Sequence, residues 1–118
     1  MKTENPLLDK SLLFVARIVK LNKYLVKEKR ENTISKQIIR SATSIGANAN
    51  EAIYGNSKAD FIAKLHIALK ECSEGKYWLE LLIESGYYDN NDILEKCIEV
   101  KKLLVTSINT AKSKMNKQ

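Results

Sequence analysis

Apolar residues recur with a helical period through almost the whole of this 118-residue chain, and the pattern breaks at only three internal places. That repetition constrains the fold more than any single motif. Pro6, the only proline, stands just ahead of the first apolar run, where its missing N–H costs no intrahelical hydrogen bond. The first helix is expected over about Leu7 to Arg30. Its last turn carries Lys27, Lys29 and Arg30, which suits the negative end of a helix dipole. The second is expected over about Thr33 to Tyr54, capped by Asn32 or Thr33 and stopped at Gly55-Asn56. The third starts at Ser57-Lys58-Ala59-Asp60, a capping box with Asp in place of Glu, and ends at Ser85, where Gly86 supplies a left-handed stop. A loop from Tyr87 to Asn91 follows. The fourth helix, capped by Asn90 or Asn91, then runs from about Asp92 to Lys114. Short loops between long helices make neighbours antiparallel. The expected fold is therefore all-α: an antiparallel up-down four-helix bundle, one domain over residues 1–118.

No apolar run approaches the roughly 18 residues of a membrane span, so no membrane association is expected. The N-terminal stretch carries Glu4 and Asp9 and lacks the layout of a secretory signal, which makes the cytoplasm the expected location. Cys72 and Cys97 form neither a CxxC pair nor a metal-ligand spacing, and both lie on apolar helix stripes, as buried reduced thiols do.

The helices carry more apolar surface than one bundle needs. In the fourth, Ile93, Cys97, Val100, Leu104, Ile108 and Ala111 make a single stripe. The first has two: Leu8, Leu12, Val15, Ala16, Val19 and Val26, and on another side Leu7, Phe14, Ile18, Leu21 and Leu25. The third sets Ala63, Ile67, Trp78 and Leu81 opposite its own core stripe. A monomer would leave one face of each in water, so self-association is expected, with Phe14, Ile18, Leu21, Leu25, Ile67, Trp78 and Leu81 as subunit-interface residues.

On the second helix, Gln37, Arg40, Ser44, Asn48 and Glu51 form one longitudinal polar strip beside the apolar line. The expectation is an interhelix hydrogen-bond network, with Arg40 paired to Glu51 or another carboxylate. Small residues crowd this helix, and Gly46, which costs it about 1 kcal/mol relative to Ala, is there for close contact.

The strip carries a family resemblance. Ile38-Ile39-Arg40-Ser41-Ala42-Thr43-Ser44-Ile45-Gly46-Ala47-Asn48, followed by Glu51 and Gly55, resembles the signature of the four-helix-bundle family of 23S rRNA intervening-sequence proteins. The similarity continues through Ser57-Lys58-Ala59-Asp60-Phe61, Ala68-Leu69-Lys70-Glu71 and Tyr77-Trp78-Leu79-Glu80-Leu81-Leu82. One position departs: Glu51 is followed by Ala52 where the family commonly has Gly, so the second helix is expected to run on to Gly55. The resemblance implies a small cytoplasmic bacterial protein. Its relatives include the accessory protein of diversity-generating retroelements, a ring-like homopentamer that engages nucleic acid and a reverse transcriptase. A ring-like homo-oligomer, most simply a pentamer, is therefore expected here, with RNA or DNA and a reverse transcriptase or other protein as candidate partners.

Catalysis has little support. His66 is the only histidine, and the positions where an all-α nuclease of the HEPN type would carry the partner arginine hold Ala59, Asp60 and Phe61. Neither paired Glu-x-x-His motifs nor a phosphate-binding glycine loop occurs, and neither cofactor nor metal is expected. The net charge of +6 is concentrated at the two ends, with an acidic middle. Arg17, Lys20, Tyr24 and Lys27 make a basic edge on the first helix, interrupted by Leu13, and Lys112, Lys114 and Lys117 add a basic tail. The edge is either a solubilising face or a sequence-tolerant phosphate-binding surface, and the resemblance favours the latter. The second reading is a protein adaptor with no nucleic-acid role.

Overall fold

The computed structural model describes residues 5–116, and among them the chain forms four helices and no strand: α1 (Pro6–Lys27), α2 (Ile34–Ile53), α3 (Lys58–Glu84) and α4 (Asp92–Asn116). Lys117, from the basic tail, lies outside the described residues. Sequence neighbours pack side by side and α4 closes against α1, whereas the backbones of the diagonal pairs α1/α3 and α2/α4 come nowhere within 8 Å between Cα atoms. The pairings run in opposite directions along the chain. Arg17 meets Asp92 while Lys10 meets Glu99, and Arg40 meets Glu71 while Glu51 meets Lys64. The helices are therefore antiparallel around a square.

Each helix end is fixed locally. The Asn5 side chain accepts the Leu8 N–H at 3.1 Å, and Pro6 occupies the first turn. α1 stops at Lys27, three residues short of the expected Arg30, because Arg30 adopts φ 54, which no right-handed helix continues through. α2 is not capped by Asn32 or Thr33. The Glu31 carboxylate accepts three N–H groups, from Thr33 at 3.1 Å, Ile34 at 3.0 Å and Ser35 at 2.7 Å, while the Thr33 side chain makes no cap bond. Burial works against ionising Glu31. The backbone donors outweigh it and hold the carboxyl below its ordinary value. Ser57 Oγ accepts from Asp60 N at 3.1 Å to start α3. α3 ends in a Schellman motif about Gly86 (φ 81): Tyr87 N–H donates to Leu82 O at 3.0 Å and Gly86 N–H to Ile83 O at 3.1 Å. Asn90 Oδ1 then accepts from Asp92 N at 2.8 Å to open α4.

Four rows make the core: Leu7, Phe14, Ile18, Leu21 and Leu25 from α1; Ile38, Ala42, Ile45, Ala49 and Ala52 from α2; Leu65, Ala68, Cys72, Leu79 and Leu82 from α3; Ile93, Cys97, Val100, Leu104 and Ile108 from α4. This corrects the interface assignment on α1. Phe14, Ile18, Leu21 and Leu25 are between 0% and 4% exposed and belong to the subunit's own interior. In the rival stripe Leu12, Val19 and Val26 face outward, at 49%, 37% and 39%, while Leu8 and Val15 are half-buried against the edge of the core. Side-chain volume explains the choice. The inward row of α2 is mostly alanine, so α1 must supply the bulk that fills the interior at native density, and Phe, Ile and Leu do so where Val and Ala would leave voids. Burying each of these four is worth about 2 kcal/mol. On α3, Ile67 is exposed as expected, but Trp78 and Leu81 are only half-exposed, and Trp78 packs against the core.

Small residues let the backbones approach. A Cβ on Gly46 would lie 3.2 Å from Val15 Cγ2, so the contact anticipated for Gly46 is the α1–α2 crossing within the subunit. Gly75 faces Ser41 across the α2–α3 crossing. Between α3 and α4 the two free thiols meet in the interior with their sulfurs 3.8 Å apart, and the shared hydrogen bond and burial push the Cys97 thiol up.

Candidate nucleic-acid interface

The basic edge lies on the α1–α4 side of the bundle. Antiparallel packing puts the α1–α2 and α3–α4 loops at the same end, and α1 carries cations along the seam towards them. Lys10 pairs with Glu99 at 2.7 Å, which also lies 3.9 Å from Lys96, and Arg17 pairs with Asp92 at 2.5 Å. The Lys10 hydrogen bond, opposed by slight desolvation, holds the Glu99 carboxyl below its ordinary value. These side chains keep between 38% and 46% of their surface exposed, so the pairs contribute little to stability and remain open to competition from other anions.

Two adjoining grooves follow this seam. The first, about 250 Å³, is lined by Lys10, Leu13, Phe14, Arg17, Lys20 and Lys96 among others. Leu13, the apolar interruption in the basic edge, is therefore part of its wall. The second, about 380 Å³, lies beyond Arg17 and Lys20 at the loop end, where Tyr24 and Lys29 meet Tyr87, Tyr88 and Asp89. The Lys29 ammonium lies 5.9 Å from the centre of the Tyr24 ring. Burial pushes the Tyr88 phenol up. Arg17 opposes the shift while Asp92 and Asp89 reinforce it, so Tyr88 presents a neutral hydroxyl.

Of the four residues expected at this edge, Arg17, Lys20 and Tyr24 come together and Lys27 does not line either groove. Lys29, Tyr87 and Tyr88 were missed. Their signal was topological: two loops that share an end bring Lys29 and the tyrosines after Gly86 to one place. Lys112 and Lys114 lie on the far part of α4, where Lys114 lines a separate groove with Lys58 and Phe61.

The polar strip of α2 resolves into separate contacts. Arg40 reaches Glu71 at 3.6 Å and Glu74 at 3.8 Å on α3, and Glu51 takes Lys64 at 3.2 Å, so Arg40 pairs with other carboxylates and not with Glu51. Asn48 Nδ2 donates to Ser44 O at 2.9 Å and to Ser44 Oγ at 3.2 Å. Gln37 is half-buried on the same line. Burial and the neighbouring Glu74 push the Glu71 carboxyl up, against the pull of Arg40. Of the expected interhelix network, the Arg40 and Glu51 ion pairs link α2 to α3, whereas the Asn48–Ser44 bonds stay within α2; the strip is separate from the basic edge. Among the described residues, no group of three His, Cys, Asp or Glu side chains is placed to hold a metal ion, and no helix is long and apolar enough to cross a membrane.

Comparison with known proteins bears on what this edge serves. The family described as 23S rRNA-intervening sequence protein matches residues 3–106. The chain belongs to this family. Within the 23S rRNA-intervening sequence protein match lie both grooves and the polar strip, whereas Lys112 and Lys114 fall beyond it. A crystal structure of a protein with unknown function from the S23 ribosomal protein family, from Bacteroides thetaiotaomicron, is 52% identical and superposes with a TM-score of 0.84, over 86% of this chain and 97% of that one. The chain matches none of the curated proteins.

Proposed function

We propose that this 23S rRNA-intervening sequence protein is a non-catalytic, cytoplasmic subunit of a homo-oligomer that holds RNA or DNA by its phosphates along the α1–α4 edge. The observation that carries the reading is the alignment of Lys10, Arg17, Lys20, Lys96 and Lys29 beside two adjoining open grooves. A row of exposed cations takes up phosphates by releasing their counterions, with little preference for sequence.

Assembly draws on two unlike apolar surfaces. Leu12, Val19 and Val26 recur at the heptad interval on the outside of α1, and Leu8, Leu12 and Val15 line a groove of about 510 Å³ with Gly46 and Ala47 of α2 and Tyr54 just past its end. Ile67 and Tyr77 are exposed on α3, which stands diagonally across the square from α1. A contact between unlike surfaces is heterologous, and it makes a ring where the rotation that repeats it closes. Five subunits is the number that the resemblance to the retroelement accessory protein gives.

Light scattering coupled to size exclusion tests both parts. A salt-resistant oligomer that carries nucleic acid only at low salt is expected. The triple variant Lys20→Glu, Lys27→Glu, Lys29→Glu spares the Arg17–Asp92 pair and should remain assembled while losing the polyanion. A monomer would overturn the assembly, and undiminished binding by the triple variant would overturn the basic edge. The second reading is an adaptor for a protein partner, a reverse transcriptase among the candidates. It is favoured by Tyr77, which is exposed and set edge-on to Trp78 at 5.1 Å, and would give a salt-insensitive complex free of nucleic acid.

A further inference from the structure

Three of the chain's five tyrosines line the groove at the loop end, and the phosphate-binding reading makes no use of them. Tyr24 comes from α1, with 40% of its surface exposed. Tyr87 and Tyr88 come from the α3–α4 loop, are half-buried and pack against the core. The Schellman hydrogen bond from Tyr87 to Leu82 fixes where this loop leaves α3, so the tyrosines form firm walls. Cations surround them: Arg17, Lys20 and Lys29.

The groove also holds Asp89. A sugar-phosphate backbone laid along the floor would meet that carboxylate. A nucleobase does not meet this obstacle. Its flat face stacks on phenol rings, its amino groups donate to Asp89, and its phosphates remain at the rim near Lys20 and Lys29. Lys29 lies over the Tyr24 ring on a flexible stem, and a base that takes its place leaves the ammonium free to meet the adjacent phosphate. The groove's volume of about 380 Å³ falls at the small end of the range for ligand pockets, which suits one base and not a duplex.

We infer that the groove formed by Tyr24, Tyr87 and Tyr88 takes an unpaired nucleobase, and that the protein therefore binds single-stranded nucleic acid in preference to duplex. The inference rests on the nucleic-acid reading above and adds to it what the basic edge alone does not give, a recognition of unpaired bases. It calls for no covalent step.

The test titrates the full-length protein with fluorescein-labelled 20-mers of one mixed sequence, as single-stranded RNA, single-stranded DNA and DNA duplex, at several salt concentrations. The variants are Tyr24→Leu, which removes the ring at an exposed position and keeps apolar bulk, and Tyr24→Phe, which keeps the ring. Circular dichroism checks that each is folded. Tighter binding of the single strands than of duplex is expected. Tyr24→Leu should weaken single-strand binding about 5- to 100-fold with the salt dependence unchanged, leave duplex binding alone and be matched by no loss in Tyr24→Phe. The RNA and DNA arms tell which strand the groove prefers. Equal binding of single strand and duplex, or a Tyr24→Leu protein that binds single strands as the wild type does, overturns the base pocket while leaving the basic edge standing. A wild-type protein that binds neither form overturns the nucleic-acid reading itself and the pocket with it.

Discussion

Replacing Glu31 with alanine removes one carboxylate and leaves three backbone donors at the start of α2 without their acceptor. Losing a helix cap typically costs about 1 kcal/mol. Glu31 is only 8% exposed and accepts from three N–H groups as an anion, so the loss should approach about 2 kcal/mol, towards the upper end for caps and within the range for charged hydrogen bonds. For a chain of this length the unfolding entropy converts this to a fall of about 8 °C in Tm. Thr33→Ala, at the nominal cap position, should move Tm by no more than about 2 °C, because that side chain makes no cap bond. The dependence on pH follows from the lowered pKa. A carboxyl held below its unfolded value contributes stability above that unfolded value, and the contribution is lost as pH falls through the folded one. The gap between wild type and Glu31→Ala should therefore be full at pH 7 and shrink in acid. Thermal melts of both variants, followed by circular dichroism across pH, make the check. A Glu31→Ala protein that melts with the wild type, or a gap that persists unchanged in acid, would refute the capping argument.

Glycine substitutions should go in opposite directions. Gly75→Ala, whose new Cβ meets only Ser41 at 3.9 Å, should stabilise α3 by about 1 kcal/mol, while Gly86→Ala, at φ 81, should cost about 1 kcal/mol; urea denaturation reads both. The two apolar stripes of α1 should separate cleanly by assay. Phe14→Ala should lose about 4 kcal/mol of stability, whereas Val19→Asp should retain a folded subunit and lower the mass measured by light scattering.

Periodicity and turn residues were enough to place the helices, because Asn5-Pro6, Ser57 and Gly86 each act through a local backbone rule. The facing of α1 was not legible from the pattern of that helix alone, since both of its stripes are apolar. The deciding information was on α2, where Ala42, Ala49 and Ala52 demand bulky partners across the interior. The α2 cap was missed for a related reason: a glutamate reaching forward from Glu31 lies outside the usual set of short capping side chains. At the candidate interface, Arg17, Lys20 and Tyr24 could be grouped because they share one helix face. Lys29, Tyr87 and Tyr88 could not, because they join that face only when two loops distant in sequence meet at one end of the bundle.

The facing thiols of Cys72 and Cys97 give the molecule a built-in clock. Both sulfurs are wholly shielded, each near the other's backbone carbonyl, at 3.5 Å for Cys72 and 3.6 Å for Cys97. No reagent in solution reaches either until α3 and α4 part. The rate at which a thiol-specific label enters therefore measures how often that seam opens in the native protein, without any mutation or attached probe. Read with and without a bound strand, the same clock reports whether a ligand held at the loop end tightens the adjoining seam between α3 and α4.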